Sequence, residues 1–272
     1  MSELKSTAPK ESDARAEYFR DMYKEQKMGN TVTALVMGLF GTGKTSLIGT
    51  GVRPILIDSF DPKGTVVLQR KYADEIESGN IIIRTYWNER SSRPTEYSRW
   101  ERQWEEDIRT NFLDRFGTYA IDSLTTFLDA LSNEVARRKG RSEGQLAIQD
   151  YKIIYNTIKD IIKLSSSCDC NFILTAHLVD EKDELTGEIT AQMDSYKSMK
   201  SQIPLLFTEK WVLLNIQKSK GLEHVLLTED YKRFRASSQL GSGGVFEAQE
   251  EPDLKKLLEK AGFSTEDKPA LF

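Results

Sequence analysis

Short apolar runs alternate along this chain with longer segments in which apolar residues recur at helical spacing. Such short runs indicate buried strands, and the longer segments indicate helices that cover one face of a sheet. Residues 1–11 are polar and are predicted to be disordered. The pattern predicts strands at residues 32–37, 54–58, 80–85, 118–122, 171–176, 211–216 and 223–228, and helices near residues 12–27, 45–50, 95–116, 124–138, 146–165 and 252–261.

The order of these elements predicts the fold class. Alternating strands and helices form a mostly parallel central sheet with helices on both faces, so we expect an α/β fold. No internal repeat or long linker divides the 272 residues. We therefore predict one main domain at residues 30–245, with an N-terminal tail and charged helix at 1–29 and a C-terminal helix and tail at 246–272.

The segment after the first predicted strand carries the most specific motif of the chain. Residues 38–45 fit the pattern G-x-x-x-x-G-K-[ST], in which small residues let backbone N–H groups surround a polyphosphate and the next helix adds its positive end. Lys44 can reach the terminal phosphates, and the Thr45 hydroxyl can ligate Mg²⁺. We therefore predict a nucleoside triphosphate site built from Gly38, Gly41, Thr42, Gly43, Lys44, Thr45 and Ser46.

Polar residues also follow two later strands. Asp122 ends the predicted strand 118–122, and we expect it at the tip of a strand next to the first one, where it can hold the magnesium with Thr45. His177 ends the strand that begins near residue 171 and, like Thr175, can approach the terminal phosphate. The alternatives are a helix N-cap for Asp122 and a strand-end contact without a nucleotide for His177.

Composition narrows the class of protein. A formal net charge of −4 provides no overall basic field for nucleic acid, so any such contact must come from local patches. No apolar run approaches the roughly 18 residues that span a bilayer, and the polar start with Glu3 is not a signal peptide. Cys168 and Cys170 lack partners for a zinc site, so we interpret them as reduced thiols of a cytoplasmic protein without a membrane contact.

An aromatic segment near the middle of the chain invites a nucleic-acid interpretation. Residues 87–104 interleave arginines with tyrosine and tryptophan side chains. However, Tyr97, Trp100 and Trp104 fall on one helical stripe, and neighbouring glutamates offset the arginines. Packing in the core is therefore the favoured prediction over stacking on bases.

Three segments together resemble the RecA-like ATPase core: the motif at 38–45, Ile121-Asp122-Ser123-Leu124-Thr125, and Phe172-Ile173-Leu174-Thr175-Ala176-His177. The resemblance covers about residues 30–262 and is greatest to a compact group common in bacteriophage genomes, often described as AAA-type phage nucleotide-binding proteins and linked to recombination. The very short helix after the motif and the turn Phe60-Asp61-Pro62-Lys63-Gly64, where the group has F-D-P-G-G, are similar to that group as well.

The resemblance implies an ATP- and Mg²⁺-dependent ATPase that binds single-stranded DNA and acts in recombination or strand annealing. It implies a homo-oligomer, a ring or a filament, in the cytoplasm of a bacterial host cell, with a single-strand-binding protein as a further partner. The glutamate that activates water in RecA-like proteins is missing here. Asp61, with Asp58 behind it, is the best substitute, and an ordinary turn aspartate before Pro62 is the alternative.

The resemblance also implies two loops that face DNA and one pair of arginines that face a neighbouring subunit. The second loop would add an aromatic ring that stacks on a base. The alternatives are a solvated helix end, a hairpin and ordinary exposed strand charges. The first loop contributes Arg137, Arg138, Lys139 and Arg141, the second contributes Tyr196, Lys197 and Lys200, and the predicted arginine fingers are Arg233 and Arg235.

Two other functions remain open from the sequence. A small-molecule kinase uses the same phosphate-binding loop, although no lid rich in arginine is evident. An ATP-gated assembly factor without a catalytic role for hydrolysis, such as a helicase loader, fits the missing glutamate. In the favoured prediction, the catalytic residues are Lys44, Asp61, Asp122, His177, Arg233 and Arg235.

Overall fold

The computed structural model describes residues 8–25, 31–141, 145–218 and 221–272. The chain forms two compact units, Met1–Asn30 and Thr31–Phe272. In the first unit, helix α1 spans Ala8–Glu25. The prediction of disorder is therefore wrong for residues 8–11, where Pro9 lies in the first turn and suits a helix start. The rest of that predicted stretch, residues 1–7, lies outside the described residues.

The second unit is built on a large sheet. Its strands follow the order β10-β8-β7-β1-β5-β4-β2-β3, and β6 and β9 pair with β5 and β7. The six strands from β7 to β3 in that order are parallel, β8 is antiparallel to β7, and β10 is antiparallel to β8. The strands are β1 Thr33–Gly38, β2 Ile55–Ser59, β3 Ile81–Thr85, β4 Thr118–Asp122, β5 Asn171–Lys182, β6 Ile189–Met193, β7 Glu209–Lys218, β8 Gly221–Leu227, β9 Ser237–Ser238 and β10 Gln249–Glu250.

Helices cover both faces of this sheet, because alternate strand residues enter two different apolar clusters. Leu35 and Met37 of β1 face one cluster, and Ala34 and Val36 face the other. The predicted α/β fold with a mostly parallel sheet is confirmed. The helices are α2 Lys44–Ile48, α3 Val66–Lys71, α4 Ala73–Glu77, α5 Glu96–Arg109, α6 Leu124–Arg138, α7 Ile148–Ser166, α8 Met199–Gln202, α9 Gln239–Ser242 and α10 Leu254–Lys260, with short 3-10 turns at Phe112–Arg115 and Pro204–Leu206.

The aromatic stripe of α5 lies in the core, as predicted. Tyr97, Trp100 and Trp104 are buried, and the rings of Trp100 and Trp104 stack with centroids 5.3 Å apart. Phe60, which follows β2, meets Trp100 edge to face. These aromatic rings therefore pack α5 firmly against the end of β2.

Several elements differ from the predicted ones. Strand β5 continues to Lys182, well past the predicted end at residue 176, because its second half pairs with β6 in an antiparallel hairpin. On the β5 side of this hairpin, the residues after Val179 are solvent-exposed and therefore show no apolar pattern. Strand β6, Ile189–Met193, thus lies in a part of the chain for which no strand was predicted.

The C-terminal segment packs on the same unit as the sheet. Leu254, Leu257 and Leu258 of α10 are buried in the cluster that also contains α2. Beyond the helix, the backbone N–H of Lys268 donates to the carbonyl of Arg53 at 2.8 Å. None of the described helices combines the length and the apolar character needed to cross a membrane.

Candidate nucleotide-binding site

The loop between β1 and α2 has the backbone shape that the motif requires. Gly41 and Gly43 have φ values of 77° and 94°, in the left-handed region that favours glycine. Gly38 passes so close to β7 that a Cβ on it would lie 2.9 Å from the Leu213 carbonyl oxygen. The Thr42 hydroxyl donates to the Leu39 carbonyl at 2.9 Å and braces the loop from within. Because α2 has only five residues, the loop N–H groups contribute more to phosphate binding than the helix dipole does.

Lys44 is buried at the start of α2 and points back along the loop. Its Nζ donates to the carbonyls of Gly38 at 2.9 Å and Leu39 at 3.1 Å and lies 3.2 Å from Nδ1 of His177. Burial lowers the pKa of Lys44, and the nearby carboxylates of Asp122 and Asp61 oppose that shift. The ammonium group is thus positioned where the terminal phosphates of a nucleotide would be held.

Asp122 connects the loop to two strands. The Thr45 hydroxyl donates to its Oδ2 at 2.7 Å, and the Thr175 hydroxyl donates to its Oδ1 at 2.5 Å. Burial and repulsion from Asp61 raise the pKa of the Asp122 carboxyl. A hydroxyl and a carboxylate in contact are oxygen ligands that suit Mg²⁺, so Thr45 and Asp122 fit the predicted ion.

The prediction that β4, which carries Asp122, lies next to β1 is wrong. Strand β5 lies between β1 and β4, and Asp122 reaches Thr45 across Thr175. The order of strands along the chain does not fix their order in an open sheet, and here a later strand, β5, occupies the position next to β1.

Asp61 and His177 also meet at this edge. The carboxylate of Asp61 accepts hydrogen bonds from the Ser123 hydroxyl at 2.8 Å and the Thr126 hydroxyl at 2.6 Å, and its Oδ2 lies 3.2 Å from Nε2 of His177. Lys44 can only donate, so His177 accepts at Nδ1 and donates from Nε2–H to Asp61. Burial acts to raise the pKa of Asp61, but these hydrogen bonds outweigh it and hold the pKa below its ordinary value.

Asp58 belongs to a different environment from Asp61. Its fully buried carboxylate binds Arg84 through both oxygens, at 2.6 and 2.8 Å, and accepts hydrogen bonds from the Trp100 indole and the Tyr119 hydroxyl, both at 2.8 Å. All of these contacts join β2 to β3, β4 and α5. Asp58 is therefore a structural carboxylate of the core rather than a reserve for water activation.

The cations predicted to form the first DNA loop are largely engaged within the chain. Arg137 and Arg138 both form ion pairs with Glu134, at 2.6 and 2.7 Å, and Arg138 also contacts Glu101. Arg141 forms an ion pair with Asp150 of α7, and Lys139 is exposed at the end of α6. The pairs with Glu134 lie within α6, and the contacts with Glu101 and Asp150 connect this region to α5 and α7. Together they reduce the positive charge available to a phosphate backbone.

The residues predicted for the second DNA loop lie in two different environments. The Tyr196 hydroxyl lies 2.7 Å from the Ser132 hydroxyl, and its half-buried ring meets Tyr151 edge to face. Lys197 is exposed, and Lys200 forms an ion pair with Glu181 at 2.8 Å. Only the lysines are thus arranged to meet a ligand, and both line a cleft of about 660 Å³ beneath the β5–β6 hairpin.

The two predicted arginine fingers lie after β8, on the turn that precedes β9. Arg233 occupies a tight turn between Tyr231 and Phe234 and forms an ion pair with Asp180 at 3.2 Å. Arg235 lines the same 660 Å³ cleft and forms an ion pair with Asp230 at 3.3 Å. The structure does not bring either residue to the phosphate-binding loop of its own chain.

Two residues beside the loop were missed by sequence reasoning. Asn215 of β7 donates from Nδ2 to the Gly41 carbonyl at 3.3 Å. The imidazole of His224 on β8 lies over Gly43, with Nδ1 3.6 Å from the position a Cβ would take. Neither residue belongs to a motif, and strand pairing alone brings them to the loop.

Comparison with known proteins identifies the family of the chain. No curated protein matches the chain. A KaiC-like protein from the hyperthermophilic archaeon Pyrococcus horikoshii OT3 is similar at 15% identity and a TM-score of 0.42, over 76% of this chain and 82% of that one. The family model described as an AAA domain matches residues 30–236. Because this match spans well over half of the 272 residues and contains the phosphate-binding loop, the chain belongs to the AAA domain family of P-loop ATPases.

Proposed function

We propose that this protein hydrolyses ATP with Mg²⁺ and couples turnover to single-stranded DNA in recombination or strand annealing, as a bacteriophage protein of a bacterial host cell. The observation that supports hydrolysis is the continuous set of contacts from Lys44 through His177 to Asp61, beside the Thr45–Asp122 pair. Phosphate-binding, metal-binding and water-orienting groups thus converge at one edge of the sheet.

In this proposal each group has a separate task. Lys44 and the loop N–H groups hold the phosphates, while Thr45 and Asp122 hold Mg²⁺, which neutralises charge on the phosphates when it is bound. Asp61 is ionised and weakly basic, because its hydrogen bonds lower its pKa. It therefore serves mainly to orient the attacking water, which suits a loose phosphoryl-transfer transition state that needs little help from a strong base.

His177 is proposed to report the nucleotide state. Its Nδ1 shares Lys44 with two loop carbonyls, so a phosphate that attracts the ammonium competes directly with the imidazole. His177 also lies on β5 at the point where this strand leaves the sheet for the β5–β6 hairpin. A change at Lys44 would thereby reach the hairpin through one side chain.

The DNA contact is proposed for the cleft beneath that hairpin. The cleft combines four cationic side chains with two carboxylates and an apolar floor, which favours an anionic ligand with apolar faces such as a single strand. Ion pairs engage Arg137, Arg138 and Arg141 in the first loop and also Lys200 and Arg235 in the cleft. The cleft is favoured for the larger share of the contact because of its concave shape and apolar floor. The cations are Lys197, Lys200, Lys210 and Arg235, and the carboxylates are Glu181 and Asp230.

A homo-oligomer, a ring or a filament, is part of the same proposal. Arg233 and Arg235 would act as arginine fingers only toward a neighbouring subunit, since their partners in their own chain are carboxylates. In that role, Arg235 would leave the DNA contact to the three lysines of the cleft. A single-strand-binding protein is the further partner that such a role would need.

The deciding experiment measures ATP hydrolysis by the purified protein with and without single-stranded DNA. We expect stimulation by DNA, its loss in Lys44→Ala, and its selective loss in Lys197→Glu at normal basal turnover. His177→Ala should bind ATP normally and show turnover that no longer responds to DNA. Basal hydrolysis that ignores DNA in the unmodified protein would contradict the coupling.

A second candidate is an ATP-gated assembly factor in which hydrolysis is incidental. The observation that favours it is the lowered pKa of Asp61, which makes this residue a poor proton acceptor. Tight ATP binding with a turnover that Asp61→Asn leaves unchanged would support this alternative.

A further inference from the structure

The β7–β8 hairpin rises beside the phosphate-binding loop. Strand β1 ends at Gly38, which pairs with Leu213, whereas β7 continues for five more residues to Lys218. At about 3.3 Å per residue, the hairpin extends roughly 17 Å beyond the edge of β1. Because β7 is the direct neighbour of β1, this extension forms a wall along one side of the loop.

One face of the wall is directed at the loop. Asn215 and His224 are paired in register, and the next pair on the same face contains Leu222. The opposite face carries Leu214 and Ile216, which pack with the large core cluster. Leu222 is 60% exposed although it is apolar, and it lies two residue pairs further along the hairpin than His224.

Two contacts fix the position of this face. The Asn215 amide donates to the Gly41 carbonyl at 3.3 Å, and Nδ1 of the His224 ring lies 3.6 Å from the position that a Cβ on Gly43 would take. Both glycines belong to the part of the loop whose N–H groups are available to phosphates. The imidazole therefore borders the phosphate site without entering it.

The direction of the polyphosphate follows from the other side of the loop. Lys44, His177 and Asp61 meet on the side of β5 and β4, so the reacting end of the nucleotide belongs there. β7 and β8 lie on the opposite side of β1 in the sheet. A nucleoside that extends away from the reacting end would therefore lie on the side of the wall.

We propose that His224 and Leu222 form the platform on which the nucleoside of the bound nucleotide lies. The proposal rests on ATP binding at the loop, not on DNA or on turnover. An exposed imidazole face beside an exposed leucine offers the flat, partly apolar surface on which a base stacks. Asn215 keeps this platform in register with the loop through Gly41. His224 is thus a binding residue with no part in the chemical step.

The test compares a ligand that has a nucleoside with one that lacks it. Calorimetry would measure the affinity of ATP–Mg²⁺ and of inorganic tripolyphosphate–Mg²⁺ for the unmodified protein, His224→Ala and His224→Phe. Glu223→Ala is the matched control, because this neighbouring residue lies on the opposite face of β8. Binding rather than turnover is measured, so an absence of hydrolysis would affect the proposed function alone.

We expect His224→Ala to weaken ATP binding roughly tenfold, a typical loss for one stacked base. Tripolyphosphate binding should be unchanged, His224→Phe should restore ATP affinity, and Leu222→Ser should behave like His224→Ala. An equal loss for both ligands in His224→Ala would show that His224 only supports the loop, and no loss for ATP would place the nucleoside elsewhere. Either result overturns the proposal.

Discussion

The carboxylate of Asp61 is hydrogen-bonded through both oxygens, by Ser123 and Thr126 on one side and by His177 on the other. These bonds stabilise the ionised form and lower its pKa. Asp61 therefore contributes stability at pH values above the ordinary pKa of about 3.8, and this contribution is lost as the pH falls through the lower pKa of the folded chain.

Replacing Asp61 by asparagine keeps the shape of the side chain and removes its charge. We expect turnover to fall by about 10²-fold or more while ATP affinity changes little, because a residue that orients water acts mainly in the transition state. Steady-state kinetics combined with equilibrium ATP binding would measure both effects. Lys63→Ala, in the same turn, is the control and should leave turnover normal.

Asp122 shows the opposite electrostatic situation, since burial and Asp61 raise the pKa of its carboxyl. An ionised carboxylate at this position is costly in the absence of a cation. We expect Asp122→Asn to leave the free energy of unfolding unchanged or to raise it by up to about 2 kcal/mol, and to abolish the response to Mg²⁺. Urea unfolding with and without Mg²⁺ would test this, and a marked loss of stability without Mg²⁺ would contradict it.

Residue identities in the site were predictable only where a local motif carries them. Lys44, Thr45 and Asp122 have motifs whose spacing reflects the geometry they serve. The hydrogen bonds that assign Asp61 its partners, and the approach of Asn215 and His224 to the loop, join residues distant along the chain. No periodicity in the sequence records such pairs.

At the scale of elements, the connection into β4 depends on a close approach of two backbones. A Cβ on Gly117 would lie 2.6 Å from the Arg53 carbonyl oxygen and 2.7 Å from that of Val52. The backbone N–H of Gly117 donates to the Pro54 carbonyl at 2.9 Å, so the two segments cannot separate without losing a hydrogen bond. Gly117 thus determines how β4 enters the sheet beside β2.

Gly117→Ala should therefore lower the free energy of unfolding by about 1–3 kcal/mol, the usual cost of overpacking a rigid contact. Chemical denaturation would measure the change. Gly243→Ala is a suitable comparison, because the nearest atom to its added Cβ is 3.5 Å away, and it should shift stability by less than about 0.5 kcal/mol. Similar effects for the two variants would contradict the argument.

Elements were predictable in proportion to the strength of their apolar pattern. β4 and α6 match their predicted bounds, because each has a clear stripe or run that packs on the core. The short helices α3 and α4 and the hairpin strand β6 were missed, since they contribute few residues to the core. A strand such as β6, which pairs only with the solvent-exposed extension of β5, produces almost no apolar pattern in the sequence.

At the scale of the whole molecule, the C-terminal helix is integrated into the unit that carries the loop. Leu257 is buried in the cluster that includes Leu47 and Ile48 of α2. The backbone N–H of Leu254 also donates to the Thr50 hydroxyl at 2.8 Å. Helix α10 thus packs against α2, the helix that follows the phosphate-binding loop, and stabilises its position.

We expect Leu257→Ala to destabilise the folded state by about 2–5 kcal/mol in a single unfolding transition. Lys256→Ala, which removes an exposed ion pair with Glu251, should cost less than about 1 kcal/mol. Thermal unfolding followed by circular dichroism and by tryptophan fluorescence would compare the variants. Two separate transitions in Leu257→Ala would show that α10 folds independently of the sheet.

The continuity of β5 has a mechanical consequence. The same strand carries Thr175, which contacts Asp122, His177, which contacts Lys44, and, five residues later, Lys182 at the end of the hairpin. Because residues 178–182 are hydrogen-bonded to β6, a displacement of β5 at His177 would move the whole hairpin with it. Inserting two glycines after Leu178 would separate the movement of the hairpin from β5, while the contacts of Thr175 and His177 would remain in place.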